Sequence, residues 1–192
     1  MKSAYIALDI ETTGLDPETC QILEIGAVYN DMSRPVAKCQ TFERLIDHKT
    51  ITGSPYALRM NANLISRIAD GEGVDLDGAV ADLMCWITYL ANRDKFDTVH
   101  LVGKNVGSFD VPFLKRVPSW QAFLFHYRCL EVGSMYATPD GISGQAELIA
   151  NIERMYEIPG REHEALHDAM VSLALVRDKW TQEGLFEFDW RK

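Results

Sequence analysis

Ala4-Tyr5-Ile6-Ala7-Leu8-Asp9-Ile10-Glu11-Thr12-Thr13-Gly14-Leu15 decides the reading of this chain: an apolar, β-branched run that stops in two acids and a turn. Ala4 to Ile10 reads as a strand. Strand side chains alternate faces, so Asp9 and Glu11 point the same way, about 7 Å apart along the strand, while Ile10 faces the other layer. Two acids at a strand end are often just a solvated terminus. The apolar run before them argues otherwise, because carboxylates at the end of a buried strand need a cation or hydrogen-bond donors to offset desolvation. A pair of divalent cations about 3.5 to 4 Å apart fits that span.

Working outward, Gln21 to Asn30 and Ala37 to Ile46 are further strand candidates, separated from each other by the turn-rich Asp31 to Pro35. Ser54-Pro55 opens a short helix to Met60, and Leu76 to Asn92 carries Val80, Leu83, Met84, Ile87 and Leu90 at helical spacing. Thr98 to Val102 reads as a short strand, Val111 to Val117 as a helix closed by Pro118, and Phe123 to Leu130 as another strand. Gln145 to Tyr156, ended by Ile158-Pro159-Gly160, and about His163 to Gln182 are helices. Strands first, then strands alternating with helices, predict an α/β fold with a mixed sheet flanked by helices. Without repeats, low-complexity tracts or long linkers, residues 1–192 read as one domain with a core of about 4–180.

Two further stretches carry chemistry-bearing residues. Gly103-Lys104-Asn105-Val106-Gly107-Ser108-Phe109-Asp110 turns from strand to helix, and puts Asp110 where an N-cap would sit and where a carboxylate could equally ligate metal. Gly160-Arg161-Glu162-His163-Glu164-Ala165-Leu166-His167-Asp168 joins a Pro-Gly loop to the last helix. Residues five apart on an ideal helix lie about 140° away from each other, so His163 and Asp168 share one site only if His163 stands on the loop. The same stretch spells H-E-x-x-H, the zinc metalloprotease pattern, but that pattern needs helix on both sides of the first histidine, and Pro159-Gly160 precedes it here.

Composition sets the frame. The 192 residues are 47% hydrophobic and 24% charged, as in an ordinary globular protein. A net charge of −9 disfavours nucleic-acid binding through a broad basic surface, yet suits a site whose cations attract phosphate. Cys20, Cys39, Cys85 and Cys129 are irregularly spaced and read as reduced core thiols. No apolar run approaches the roughly 20 residues of a membrane span, and Met1 to Ala4 lacks the layout of a signal peptide, so the expected compartment is the cytoplasm. His48, His100 and His126 read as structural or surface residues, and Phe186, Phe188 and Trp190 as core packing. Lys104, Lys115, Arg116, Arg128 and Arg161 are separate charges that would serve a phosphate track only if folding gathers them.

The ordered set Asp9-Ile10-Glu11, Asn105 to Phe109-Asp110, and His163 with Asp168 resembles the DEDDh 3′-to-5′ exonucleases of RNase H-like fold. That group includes proofreading subunits, RNase T, oligoribonucleases and TREX enzymes. The resemblance covers about residues 4 to 180, and Thr12-Thr13-Gly14-Leu15 is close to the commonest form of the first motif. Asp110 lies one residue further from Asn105 than in many members, as in the oligoribonuclease-like and TREX-like ones. Glu164 stands where the tyrosine sister class has Tyr. The resemblance implies Asp9, Glu11, Asp110 and Asp168 as ligands of two Mg²⁺, with Mn²⁺ tolerated, and His163 as general base. It implies that Leu15 meets the terminal base, that Thr12, Thr13 and Gly14 offer backbone groups to the terminal nucleotide, and that Phe109 packs beneath the site. Asn105 counts as a further substrate-binding candidate. The implied partner is a single-stranded 3′ end of DNA or RNA, releasing nucleoside 5′-monophosphates. Homodimerisation or association with a polymerase is compatible with it.

Overall fold

The computed structural model describes residues 2–137 and 146–185; Gln145, Phe186, Phe188 and Trp190 lie outside the described residues. Five strands form one sheet in the order β3-β2-β1-β4-β5. They are β1 (Ser3–Thr12), β2 (Ile22–Tyr29), β3 (Thr41–Leu45), β4 (Thr98–Gly103) and β5 (Leu130–Glu131). The first three pair antiparallel, while β4 runs parallel to β1 and β5 parallel to β4. The mixed sheet follows from the connections: loops over residues 13–21 and 30–40 join the first strands, whereas β4 is reached only after a long helical excursion.

Seven helices accompany the sheet among the described residues: α1 (Pro55–Met60), α2 (Ala62–Ala69), α3 (Leu76–Asp94), α4 (Asp110–Leu114), α5 (Val132–Met135), α6 (Ala146–Tyr156) and α7 (Ala165–Gln182). On β1 the even positions Ala4, Ile6, Leu8 and Ile10 pack with Val80, Leu83, Met84, Ile87 and Leu90 of α3. The odd position Ala7 joins Val28, Val102 and Ala169, Met170, Leu173 and Ala174 of α7 on the other face. Each buried aliphatic side chain contributes about 1.5–3 kcal/mol. The alternation therefore dictates that Asp9 and Glu11, also odd, point to the α7 side. None of the helices described is long and apolar enough to cross a membrane.

Several expected elements differ. The Ala37 to Ile46 strand starts late, because Val36–Lys38 is a 3-10 turn after Pro35 and pairing begins at Thr41. Phe123 to Leu130 is not one strand. Ala122–Leu124 is a 3-10 turn, Phe125 makes a single bridge to Val99, and only Leu130–Glu131 joins the sheet. Stacking of Trp120 on Phe125 and of His126 on Tyr127 holds that stretch through side chains. The helix expected over Val111 to Val117 is Asp110–Leu114, and its last turns tighten to bonds such as Val117 N–H to Leu114 C=O ahead of Pro118. All four cysteines are free, but only Cys39 is buried and Cys85 is exposed, which corrects the reading of four core thiols. His48 donates from Nε2 to the Ile22 carbonyl, and His100 stacks on Tyr5 and packs tilted against His126, as structural histidines do.

Candidate active site

β1 delivers Asp9 and Glu11 to the α7 face at its C-terminal end, where a bulge between Glu11 and Thr12 breaks the ladder with β2. Bulges gather beside functional sites because the extra residue re-aims a side chain. The chain then turns: the Thr12 hydroxyl donates to the Gly14 carbonyl, Thr13 N–H to Gln21 C=O, and Ser54 N–H to Thr13 C=O. Thr12 and Thr13 are buried and engaged within the fold, whereas Leu15 beyond them is 84% exposed. An isolated, highly exposed leucine on an ordered turn is what a stacking contact to a base requires.

Asp110 arrives from β4 through a tight turn. Asn105 adopts the left-handed conformation (φ 62), and its carbonyl accepts from Ser108 N–H and Phe109 N–H. The N-cap position belongs to Phe109, which makes no side-chain cap bond, so the N-cap reading of Asp110 is corrected. Asp110 is 1% exposed, and its carboxylate accepts the Ile10 N–H at 2.9 Å, which locks α4 to β1 between Asp9 and Glu11. Phe109 packs at a tilt against Phe113.

His163 stands on the loop, outside α7, in a left-handed conformation (φ 66) with its side chain exposed. Its backbone N–H donates to Asp168 at 3.3 Å, so the helix carboxylate fixes the loop that bears the histidine. Ligand atoms of Glu11, His163 and Asp168 lie within 4.8 Å of one another. His167 is turned elsewhere. It is 5% exposed, with Nδ1 at the Pro159 carbonyl (2.9 Å) and Nε2 at Glu153 (3.0 Å), so the two-histidine zinc arrangement is not formed.

The electrostatics mark the cluster as under-neutralised. Burial pushes Asp9 well above the ordinary carboxylate range, and the charges of Asp110, Asp168 and Glu11 push it further. Burial and then Asp168 bring Glu11 up to about 7, and burial brings Asp110 up to about 7. Asp168 is raised too, chiefly by burial. Carboxylates that raise one another in this way are a donor set for a hard divalent cation, whose charge removes the repulsion.

One contributor escapes a sequence reading, and a second is singled out from the scattered cations only by the fold. Asn61, buried at the junction of α1 and α2, donates to the Thr12 carbonyl at 3.0 Å and lies close enough to Glu11 to lower its pKa slightly against the effect of burial. The signal for its helix was present in Leu64 and Ile68, spaced one turn apart and buried. Lys104 lines a cavity of about 450 Å³ together with Asp9, Asp168, Tyr136, Ile149 and Glu153, so of the scattered cations it is the one that shares a cavity with two of the carboxylates. Arg116 instead pairs with Glu18, and Arg161 with Glu164.

A family model described as the 3′-5′ exoribonuclease Rv2179c-like domain matches residues 4–180. No curated protein matches the sequence. Among solved structures, E. coli exonuclease I in complex with a 5cy-dT13 oligonucleotide is similar at a TM-score of 0.63 and 14% identity, over 96% of this chain and 42% of that one. E. coli exonuclease I with a dA16 oligonucleotide gives 0.63 and 14%, over 94% and 42%. A product-bound exonuclease I gives 0.61 and 14%, over 97% and 45%. The chain spans less than half the length of those proteins, and at this identity the likeness is one of fold.

Proposed function

The chain belongs to the Rv2179c-like 3′-5′ exoribonuclease family, and from that premise we propose that it hydrolyses the terminal phosphodiester at a 3′ end, releasing nucleoside 5′-monophosphates. The observation that carries this reading is the convergence of Glu11 with His163 and Asp168, from two distant pieces of chain, to within 4.8 Å, with Asp9 and Asp110 beside them. Two divalent cations, Mg²⁺ or Mn²⁺, held by Asp9, Glu11, Asp110 and Asp168, would when bound acidify the attacking water and offset charge on the leaving 3′ oxygen.

The protein's own groups do the rest. His163, at the exposed rim, takes the proton of the attacking water, and its bond to Asp168 keeps the ring over the cluster. Asn61 holds the Thr12 carbonyl, next in the chain to Glu11, in place. Leu15 offers the terminal base a surface to stack on, with Thr12, Thr13 and Gly14 shaping the turn that presents it. Lys104 meets the phosphate from the cavity side, and Asn105 sets the turn that carries Lys104. The substrate is a single-stranded 3′ end. RNA is the chemistry supported by the family's description, and the bound oligonucleotides of exonuclease I support single-stranded DNA as the alternative.

The test is a panel of 5′-labelled single strands of both chemistries, with and without Mg²⁺, plus a closed circular strand. Stepwise shortening from a free 3′ end is expected, and Asp9→Ala or Glu11→Ala abolishes it in a protein that still folds. Full activity in EDTA would overturn the two-cation mechanism. Digestion of the circle at a similar rate would make the enzyme an endonuclease.

A further inference from the structure

The geometry points to Glu24 as a positioning residue for the catalytic cluster: its buried carboxylate sets where α7 begins, and with it where Asp168 and His163 stand against Glu11. The inference rests on the exonuclease reading above for what the cluster does, and on the fold alone for how Glu24 acts.

Glu24 is the one charged residue in β2, Ile-Leu-Glu-Ile-Gly-Ala-Val-Tyr, and it is 0% exposed. Strand alternation turns it, with Gly26 and Val28, toward α7. Its Oε2 accepts the backbone N–H of Ala165 at 2.7 Å, and Ala165 is the first residue of that helix. The first N–H groups of a helix need acceptors from outside it, and a neighbouring side chain usually supplies one. Here the N-cap residue Glu164 makes no cap bond. Its carboxylate is committed to Arg161, accepting from the backbone N–H and the guanidinium. Glu24 therefore performs the capping from a different strand, 141 residues away, and its charge suits the positive end of the helix dipole. Arg67 approaches the other oxygen at 4.0 Å.

Gly26 grips the same peptide. A Cβ on Gly26 would lie 2.2 Å from the Ala165 carbonyl carbon and from Leu166 N, so the helix start rests directly on the strand backbone. In the ladder Glu24 sits opposite Glu11, immediately before the bulge. The anchor is thus one strand away from a candidate ligand, while Ala165 lies two residues after His163 and three before Asp168. Any slide of Ala165 moves the base and a ligand together relative to Glu11. Misplacement by about 1 Å is enough to cost on the order of 10²-fold in rate.

The test compares Glu24→Leu, Glu24→Gln and Ala165→Pro with wild type by thermal melting, steady-state kinetics on a single-stranded oligonucleotide, and calorimetric Mn²⁺ titration of EDTA-stripped protein. Glu24→Leu removes the acceptor and is expected to lower kcat by about 10- to 100-fold with KM within about twofold, and to weaken Mn²⁺ binding. Glu24→Gln still offers an amide oxygen to Ala165 and recovers kcat to within about threefold of wild type. Ala165→Pro removes the N–H while placing a residue suited to a first helical position, after an extended Glu164 (φ −117, ψ 120), and gives the same loss as Glu24→Leu. Wild-type kcat and Mn²⁺ affinity in folded Glu24→Leu, whatever its melting temperature, would overturn the proposal. If Glu24→Leu does not fold, wild-type values in Ala165→Pro overturn it equally. If wild type degrades neither RNA nor DNA, the exonuclease reading fails, and the Mn²⁺ titrations alone decide whether Glu24 positions the cluster.

Discussion

At His163 the backbone takes up a left-handed conformation that few side chains tolerate, and that turn lifts the ring off α7 toward Glu11 and Asp168. His167, one helical turn on, is buried between Pro159 and Glu153 and ties α6 to α7. The two residues are therefore separable by experiment. His163→Ala is expected to cost about 10²- to 10⁴-fold in kcat while the fold and Mn²⁺ binding by the carboxylates survive. His167→Ala removes a buried ring and its bonds to the Pro159 carbonyl and the Glu153 carboxylate, and should lower unfolding free energy by about 1–3 kcal/mol in urea titration. Its kcat in the remaining folded protein should stay within about tenfold of wild type, the reverse of the His163 pattern. Equal inactivation of both variants with loss of metal would restore the two-histidine zinc reading.

At the scale of elements, the site is a junction of β1, the β4–α4 turn and α7, with Asp110 on the Ile10 N–H joining the first two. Asp110 illustrates the cost. Its carboxylate locks α4 to β1 through Ile10 N–H, yet burial raises it to about 7, so it is only partly ionised at neutral pH without a cation. Asp110→Asn keeps an acceptor for Ile10 and removes the charge. It should melt at a higher temperature than wild type at pH 8 in EDTA, and have no measurable exonuclease activity in Mg²⁺. A lower melting point would mean that the carboxylate's bond outweighs its desolvation. Gly26 makes the complementary case from the strand side. Gly26→Ala drives a methyl into the Ala165 peptide, and a loss of about 1–3 kcal/mol or more is expected by chemical denaturation.

For the whole molecule, the acidic balance of −9 and the gathered carboxylates act in one direction. Asp9, Glu11, Glu24, Asp110 and Asp168 are all raised in the folded state, with Glu11, Glu24 and Asp110 at about 7. An acid whose folded value is raised holds its proton longer folded than unfolded. Its contribution is fully present below the unfolded value of about 4 and is lost as pH climbs through 7. In EDTA the protein should therefore melt at a higher temperature at pH 5 than at pH 8. For a chain of this size each kilocalorie lost lowers Tm by about 2–4 °C. Mn²⁺ should return most of the difference at pH 8 and little at pH 5, where protons already neutralise the cluster. A Tm that is flat with pH in EDTA, or equal metal stabilisation at both values, would contradict this account.

The residues by themselves determined the strand that carries Asp9 and Glu11, the side on which both acids point, the helical core of α3, and the need for His163 to leave the helix. Each follows from local periodicity or from Pro159 and Gly160, which act through the chain immediately around them. Only the tertiary structure decided what depends on contacts between distant segments. Asp110 gave up the cap role for the Ile10 N–H, because the β4 turn lands beside β1. Phe123 to Leu130 failed as a strand because stacked aromatic side chains, rather than ladder pairing, hold most of it. Asn61 and Glu24 reached the site from 49 and 141 residues away from the atoms they hold, and no local pattern encodes such a pairing. A charged residue in a wholly apolar strand was the one visible trace of Glu24. What that charge holds is set by which helix end packs against it.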